Sequence, residues 1–521
     1  MHDMSAFFPR SFESLSKLER RRALRSVIFV KEKRDKSIKT RACVNGAPQR
    51  EYIAKEDAAS PTVAIDSVFI TGAIDAHERR DVAYADLPGA FLHTETDEKV
   101  VMMLTGELCE LMVKVDPTLY RKYVHKDRRG KPVLYVELFK SVYGLLRSAL
   151  LFYRKLKKEL VEYGFKVNPY DPCVANMDTP GGQLTVLWHV DDLKVSCKDS
   201  LEVTKLLAHL DGIYPNLVAH RGKKGDYLGM NLDFSEDGVF TVDMIPYIKG
   251  IIKDFPEEIT RKSPTPHADH LFKVRDEKDA KYLPEEQAQQ FHTTVAQLLF
   301  LSARARRDIQ TAVGFLTTRV KAPDEDDWGK VKRVLQYLKG TLYLKLRLTV
   351  SNLTSSIWQI DASHGVHWDC KGQTGAGMTL GEGALISHSW RQKVNTRSST
   401  ESEIVGVDDA MPTVLWSLYF IQAQGYDMTH ATICQDNKSA ILLERNGKMS
   451  SSKRTKHIKM KYFFFTDKIE QGEVQVKHVP TDEMWIDSNT KPTMGRRYRV
   501  DRSHIMGCPV DLPESLADVP M

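Results

Sequence analysis

The chain has 521 residues, of which 42% are hydrophobic and 28% are charged. This composition can bury sizeable cores, and it excludes a wholly disordered or low-complexity protein. The seven cysteines never lie closer than 24 residues apart, so there is no CxxC pair for a zinc ribbon and no dense disulfide framework. The net charge of +6 is only a weak pointer to nucleic acid, because basic clusters also occur as ordinary solvated surface.

The sequence carries no sign of secretion or membrane insertion. The first 22 residues lack the apolar stretch of a secretory signal. No apolar run reaches the roughly 18 residues that a membrane span needs. We therefore expect a reduced, intracellular protein without a membrane partner.

Hydrophobic periodicity divides the chain into three folded parts. From about 25 to 250, short β-rich runs alternate with amphipathic stretches, which is typical of an α+β fold. From about 251 to 345, Glu285–Leu301 and Trp328–Leu338 carry apolar residues at helical spacing. From about 355, a strand, a hairpin-like segment and a long helix from Thr400 predict an α/β domain, with Pro412 expected to kink that helix or end it early.

Three carboxylates mark the first part. Asp191 and Asp192 lie between two apolar runs of Leu184–Cys197, so they are predicted at the tip of a buried hairpin. Asp86 ends the β-rich run DVAYAD. Hard carboxylate oxygens on rigid supports suit a two-metal site for phosphoryl transfer. A plain polar turn is the alternative for the Asp pair, because Asp is common in turns.

Ordered motifs make residues 25–345 resemble the reverse transcriptase of copia-type LTR retrotransposons. Asp86–His93 is similar to the family's DVxxAFLxG block, and His189–Asp192 is similar to its YVDD box. Further blocks follow in the family's order: Lys39-Thr-Arg41 with Gly46 and Gln49, Ser60-Pro61, Tyr143-Gly144-Leu145, Tyr170–Cys173, Tyr227-Leu-Gly229, Arg307-Asp-Ile309 and Tyr337–Thr341.

The resemblance implies roles for the matched residues. Asp86, Asp191 and Asp192 would be catalytic and would hold two Mg²⁺ ions, which Mn²⁺ can replace. Lys39 and Arg41 would bind the incoming triphosphate. The other substrate-binding residues implied are Phe91, Tyr143, Gly144 and His189.

Two of these assignments carry alternatives. Phe91 stands where the family keeps an aromatic gate against the 2′-hydroxyl of a ribonucleotide, but it is equally explained as a core residue. His189 replaces the family's Tyr and keeps an aromatic ring that can carry a charge, so nucleotide or primer handling is expected to differ. We do not interpret His189 as a metal ligand, because no second histidine has suitable spacing.

Four more carboxylates mark the last part of the chain. Asp361 follows a β-rich run, Glu401 and Glu403 open a predicted helix, Asp436 ends the run ATICQD and Asp487 lies on a late helix. Carboxylates on two strand ends and two helices suit a two-metal nuclease.

This part resembles the ribonuclease H domain of the same elements. The matching blocks are Asp361-Ala-Ser, Ser398–Glu403, Asp436–Ala440, Arg454–Ile458, and Asp487 with Thr490-Lys-Pro492, whereas Gly365–Lys371 departs from common family sequences. The resemblance implies Asp361, Glu403, Asp436 and Asp487 as catalytic, metal-binding residues. Glu403 is otherwise explained as the partner of Thr400 in a capping box, with Glu401 as the substitute ligand. His457 is interpreted as structural rather than as a general base.

The expected fold is therefore α+β reverse-transcriptase fingers, palm and thumb followed by an α/β ribonuclease H-like domain. The predicted segments are a partial N-terminal extension (1–24), fingers and palm (25–250), a helical thumb or connection (251–350), the ribonuclease H-like domain (351–505) and a tail (506–521). No nucleocapsid knuckle, aspartic protease or integrase motif is present, so we expect the C-terminal part of a Pol polyprotein, with Met1 an internal residue of the element.

The expected function is RNA-directed DNA synthesis with degradation of the RNA strand of the hybrid. The expected partners are an RNA template, a DNA primer, the RNA–DNA hybrid and deoxynucleoside triphosphates, with capsid and integrase of the element as further partners. We expect element particles in the cytoplasm, with access to the nucleus. The alternatives are an inactive nucleic-acid-binding remnant and a host-adopted interaction protein.

Overall fold

The structure is a computed structural model that describes residues 1–32, 36, 38–447 and 464–512, apart from the side chains of Lys31 and Lys39. In the first part of the chain the elements are β1 (Phe7–Arg10), α1 (Lys17–Arg22), β2 (Leu24–Glu32), β3 (Ile38–Val44), α2 (Lys55–Ala58), α3 (Ile65–His77), β4 (Asp81–Asp86), β5 (Glu95–Thr105), α4 (Glu107–Val115), α5 (Pro117–Tyr120), β6 (His125–Lys126), β7 (Pro132–Lys140), α6 (Ser148–Tyr163), β8 (Lys166–Val167), β9 (Val174–Thr179), β10 (Gly182–His189), β11 (Asp192–Cys197), α7 (Ser200–Ile213), β12 (Val218–Arg221), β13 (Lys224–Tyr227), β14 (Met230–Asp233) and β15 (Val239–Asp243).

The later elements are mostly helical and then mixed. They are α8 (Ile245–Asp254), α9 (Glu285–Ser302), α10 (Gln310–Thr317), α11 (Glu325–Gly340), β16 (Leu346–Thr349), β17 (Ser355–Ser363), β18 (Gln373–Thr379), β19 (Ile386–Arg391), α12 (Ser399–Ala423), β20 (His430–Gln435), α13 (Lys438–Asn446), α14 (Phe464–Glu470), β21 (Val474–His478) and α15 (Gly495–Met506).

The first sheet has the strand order β1-β7-β5-β2-β3, and β6 also pairs with β7. Its edge strand β1 pairs antiparallel with β7, so part of the predicted extension 1–24 belongs to this sheet. The predicted segment boundaries otherwise stay predictions.

The second sheet, β12-β4-β11-β10-β9-β8, supports the first set of carboxylates. Strand β10 buries five consecutive residues, Leu184–Trp188, which is the pattern of a strand covered on both faces. Helix α7 packs against β11 and β4. The apolar runs seen in the sequence are therefore the centre of a core, and their carboxylates lie where the strands reach the surface.

The third sheet has the order β13-β14-β15-β16 and contains strands from before and after the helical part of the chain. Strand β16 pairs antiparallel with β15 although helices α8 to α11 lie between them in the sequence. Residues 346–349 therefore belong to the same sheet as residues 239–242.

The fourth sheet has the order β19-β18-β17-β20-β21. Its first three strands are antiparallel, and β17, β20 and β21 run parallel to one another. Helix α12 packs against β17, the central strand. The predicted fold class, α+β sheets followed by an α/β domain, is confirmed.

Helix α12 overturns one prediction, because it continues through Pro412 to Ala423 instead of ending early. Most of its residues on both sides of the proline are buried, so packing compensates for the backbone hydrogen bond that proline cannot donate. Among the described residues, α12 is also long and apolar enough to suit a membrane span, but 67% of its most apolar window is buried inside the protein. Those contacts make it a core helix.

Candidate active sites

Asp86, Asp191 and Asp192, which we call the first cluster, meet at one end of the second sheet. Strand pairing places Asp86 directly opposite Asp192. Asp192 is also paired with His189 across the β10–β11 hairpin, so Val190 and Asp191 form its turn. Val190 has a φ of 61°, which is strained for a β-branched residue. The predicted convergence of the three carboxylates is observed.

A cavity of about 400 Å³ opens onto the first cluster. It is lined by Arg41, Asp86, Leu87, Pro88, Gly89, Tyr143, Asp191 and Asp192. Arg41 comes from β3 of the first sheet, and its guanidinium lies 5.4 Å from the centre of the Tyr143 ring. The cavity therefore combines three carboxylates with an arginine, which are groups that suit a triphosphate with bound cations.

The Tyr143–Gly144 segment joins the first sheet to the first cluster. The Tyr143 hydroxyl lies 3.5 Å from Oδ2 of Asp191, and burial followed by the Asp191 charge raises the pKa of Tyr143. Gly144 has a φ of +97°, and a Cβ there would lie 1.9 Å from the carbonyl oxygen of Val44. Only glycine fits this close approach, so Gly144 acts through backbone packing.

Two other predicted substrate-binding residues, Phe91 and His189, are not among the described residues that line the cavity. Phe91 is buried, packs edge-to-face on Tyr143 with ring centroids 4.6 Å apart, and does not line the cavity, so its role as a gate stays a prediction. His189 is half-buried, and burial lowers its pKa. The side chain of Lys39 lies outside the described residues.

A buried ion pair, which the sequence analysis did not predict, lies on the strand that follows the first cluster. Lys194, two residues after Asp192, is fully buried and pairs with Asp75 of α3. Ser196 donates a 2.6 Å hydrogen bond to the other oxygen of Asp75. A lysine inside an apolar strand was a signal in the sequence, because a buried ammonium requires a carboxylate partner.

Asp361, Glu403, Asp436 and Asp487, which we call the second cluster, also converge. One carboxylate oxygen each from Asp361, Glu403 and Asp436 lies within 4.8 Å of the other two. Among the described residues, no other group of three or more His, Cys, Asp or Glu side chains is this compact. Thr481 donates a 2.7 Å hydrogen bond to Asp436. The carboxylates of the first cluster are more widely spread.

Asp487 joins the second cluster through Lys491. The Lys491 ammonium lies 3.1 Å from Oδ1 of Asp487 and 3.6 Å from Oδ2 of Asp361. Thr490 donates a 2.5 Å hydrogen bond to Asp361. Asp487 lies on a short 3₁₀ helix, Trp485–Asn489. Sequence matching included Thr490 and Lys491 but assigned neither of them a role.

The capping alternative for Glu403 is wrong. Ser398 is the N-cap of α12 and accepts a hydrogen bond from the backbone of Glu401. Glu401 in turn accepts a 2.7 Å hydrogen bond from the backbone of Arg397. Thr400 is already inside the helix, so the acidic side chain at the N-terminal cap is that of Glu401. Glu403 takes no part in the cap and lies with Asp361 and Asp436.

The second cluster has the electrostatics of a cation site. Burial, followed by the charges of Asp361 and Asp436, raises the pKa of Glu403 well above its usual range. Oε2 of Glu403 is buried and accepts no hydrogen bond from the described residues. Burial also raises the pKa of Asp361, although Lys491 opposes that shift. Closely spaced carboxylate oxygens with one buried acceptor unused fit a divalent cation.

The block Arg454–Ile458, with His457, lies outside the described residues. A cavity of about 690 Å³, larger than that of the first cluster, lies between β16 and α15, and none of the seven carboxylates lines it.

Comparison with known proteins shows a similarity in the first part of the chain. Residues 14–267 match the family model described as "Reverse transcriptase (RNA-dependent DNA polymerase)". This match covers just under half of the chain, and we call residues 14–267 the reverse transcriptase segment. This reverse transcriptase segment contains Asp86, Asp191 and Asp192, so the first cluster lies inside the matched region.

Curated relatives extend the likeness beyond the reverse transcriptase segment. The chain is 24% identical over 469 residues to the Retrovirus-related Pol polyprotein from transposon TNT 1-94 of Nicotiana tabacum, covering 89% of this chain and 33% of that protein. It is 26% identical over 470 residues to the Pol polyprotein from transposon RE2 of Arabidopsis thaliana, covering 87% and 29%. The resemblance to copia-type Pol polyproteins is confirmed, and the chain spans about a third of the length of these relatives.

A solved structure of a foamy viral protease-reverse transcriptase in complex with double-stranded DNA is also similar. It covers 92% of this chain and 68% of its own, with 12% sequence identity and a TM-score of 0.49.

Proposed function

We propose that this chain is an RNA-directed DNA polymerase that also cleaves the RNA strand of an RNA–DNA hybrid. The first cluster would be the polymerase site and the second cluster the ribonuclease H site. The observation that carries the proposal is the pairing of Asp86 with Asp192 beside the hairpin turn at Asp191, inside the reverse transcriptase segment.

Each cluster is proposed to hold two Mg²⁺ ions, for which Mn²⁺ can substitute. Bound cations of this kind activate an attacking oxygen and stabilise the charge of a leaving oxygen at phosphorus. The ligands would be Asp86, Asp191 and Asp192 in the first cluster, and Asp361, Glu403, Asp436 and Asp487 in the second.

The protein's own groups bind and orient the nucleotide at the first cluster. Arg41 lines the same cavity as the three carboxylates, where its planar fork can hold the triphosphate by two parallel hydrogen bonds. Tyr143 forms the wall between Arg41 and Asp191. His189 and Phe91 remain proposed substrate-binding residues, and Lys39 is proposed to assist Arg41.

Different groups prepare the second cluster. Thr490 and Thr481 donate hydrogen bonds to Asp361 and Asp436, which fixes the orientation of these two carboxylates. Lys491 partly neutralises Asp361 and Asp487. A site held in this way can position a water molecule against a phosphodiester with little movement of its side chains.

The proposed partners are an RNA template, a DNA primer, their hybrid and deoxynucleoside triphosphates. Capsid and integrase of the same element are proposed as further partners. Location in cytoplasmic particles, with access to the nucleus, is likewise a proposal.

Separation of the two activities tests this function. Purified protein with Mg²⁺ should extend a DNA primer on an RNA template and cleave the RNA of a preformed hybrid. The double variant Asp191→Asn, Asp192→Asn should abolish extension and retain cleavage, and Asp436→Asn should do the reverse. Loss of both activities in either variant would contradict two separate sites.

The alternative functions predict other outcomes. An inactive remnant would bind the template–primer tightly and extend nothing. A host-adopted interaction protein would not bind the nucleic acid at all. Either result with correctly folded wild-type protein would overturn the proposal.

A further inference from the structure

Arg304 is a half-buried arginine without an acidic partner among the described residues. Its guanidinium carbon, Cζ, lies over the Phe300 ring, 3.6 Å from the centroid, and its contact with the Phe300 carbonyl oxygen is long at 3.4 Å. Nε is buried and donates no hydrogen bond to any described residue. The guanidinium therefore keeps most of its hydrogen-bonding capacity.

The Phe300 ring packs against the turn between β13 and β14. A Cβ placed on Gly229 would lie 3.7 Å from this ring. Tyr247 of α8 packs on Phe300 with centroids 5.4 Å apart. The ring is thus held between two elements, and Phe300 remains 36% exposed.

This turn belongs to the surroundings of the first cluster. Strand β12, which leads into the β13–β14 hairpin, pairs with β4 so that Val218 lies opposite Asp86. The Tyr227 ring, just before the turn, lies 6.3 Å from that of Tyr84 on β4.

A cation in this position needs an anion from outside the described protein. The carboxylates of the first cluster repel a nucleic-acid backbone, so a nearby positive group of the protein favours its binding. Arginine on an aromatic ring is preorganised for the bidentate recognition of phosphate.

We propose that Arg304, held over the Phe300 ring, binds a phosphodiester group of the template–primer duplex beside the first cluster. This inference rests on the proposed polymerase function. The phosphodiester belongs to either the primer or the template strand, and the experiment below distinguishes them.

The test measures affinity for a template–primer by fluorescence anisotropy, without deoxynucleoside triphosphates, at several salt concentrations. Arg304→Met keeps an unbranched side chain on Phe300 but removes the charge. It should weaken binding roughly tenfold and reduce the slope of log affinity against log salt by about one. Arg304→Lys should retain the slope but lose affinity, because lysine lacks the planar fork.

Arg347→Met is the matched control. It removes the same charge from an arginine that already pairs with Glu236 through two hydrogen bonds, of 2.6 and 2.8 Å. The salt slope of this variant should equal that of the wild type. Both variants are compared by circular dichroism to verify folding.

Uncharged methylphosphonate links, placed singly in either strand, identify the contact with wild-type protein. At the contacted position the modified duplex should bind wild type and Arg304→Met equally. An unchanged affinity and slope in Arg304→Met would overturn the inference and leave Arg304 as a packing residue. Because no catalysis is measured, failure of the polymerase proposal would show separately, as binding without primer extension.

Discussion

The hydroxyl of Tyr426 accepts a 2.9 Å hydrogen bond from Nη2 of Arg80. Tyr426 belongs to the last domain, which contains the second cluster, and Arg80 immediately precedes β4, which carries Asp86. Arg80 also donates hydrogen bonds to Thr185 and Gln183 at the start of β10, of 2.9 and 3.1 Å. Through Arg80, the last domain is therefore connected to the β10–β11 hairpin at the end opposite the turn with Asp191 and Asp192.

Removing that hydroxyl should loosen the hairpin. Tyr426→Phe leaves Arg80 and Glu78 without one partner each and should lower the free energy of unfolding by about 1–2 kcal/mol. Hydrogen exchange of the β10 amides near Gln183 should become faster. Tyr419→Phe is the control, because its hydroxyl bonds to Glu473 inside the last domain. Equal exchange rates at β10 in both variants would argue against the contact.

Two adjacent buried arginines should respond oppositely to replacement by methionine. Arg306 forms two hydrogen bonds to Asp308, so Arg306→Met leaves a buried unpaired carboxylate and should destabilise by about 3–5 kcal/mol. Arg307 donates to the Ala384 carbonyl oxygen, stacks on Phe69 and forms no ion pair within the described part of the chain. Burial lowers its pKa to about 10.

Arg307→Met should therefore stabilise the protein by roughly 1 kcal/mol, because a buried charge without a carboxylate partner is replaced by an apolar side chain of similar length. Denaturant unfolding of both variants measures the difference. Strong destabilisation by Arg307→Met would show that its contact with Ala384 is worth more than the cost of burying the guanidinium.

Acid should destabilise the fold through His267. Burial, followed by the charge of Arg333, lowers the pKa of His267 to about 3. Below pH 6.5 the unfolded chain binds a proton at His267 that the folded protein does not bind. The free energy of unfolding is therefore unaffected by His267 above pH 6.5 and falls by at most about 1.4 kcal/mol per pH unit between pH 6.5 and 3. In His267→Phe that part of the slope should disappear. A slope identical to the wild type would contradict the assignment.

The second cluster should bind a divalent cation through Glu403. Glu403→Gln removes one of three closely spaced carboxylates, so it should raise the melting temperature in EDTA and abolish the further rise on adding Mg²⁺. Glu401→Gln is the control on the same helix turn, since Glu401 contacts the backbone of Arg397. It should keep the Mg²⁺-dependent rise. If only Glu401→Gln lost it, the ligand assignment would be wrong.

The sequence was sufficient to predict those strands whose local hydrophobic pattern also contains a candidate catalytic carboxylate. The strands next to Asp86 and Asp436 follow from apolar runs that end in a carboxylate, because a charged residue is tolerated more readily at the surface end of a buried strand. Asp361 is instead buried inside β17, so for this residue the motif was the deciding signal. Motif order then assigned these strands to two sites.

The sequence was insufficient where long-range packing decides the structure. Helix α12 passes through Pro412 because both of its halves are buried, which no local signal reports. The Arg80–Tyr426 contact joins residues 346 positions apart. The capping alternative for Glu403 failed because the N-cap lies two residues earlier than the Thr400 pattern indicated.

Anomalous scattering from Mn²⁺ tests the central claim most directly. Crystals of the protein with a template–primer, a non-reactive nucleotide and Mn²⁺ should show peaks beside Asp86, Asp191 and Asp192, and a second set among Asp361, Glu403, Asp436 and Asp487. A map with nucleic acid bound and no Mn²⁺ at one of these clusters would contradict the assignment of that cluster as a metal-dependent active site.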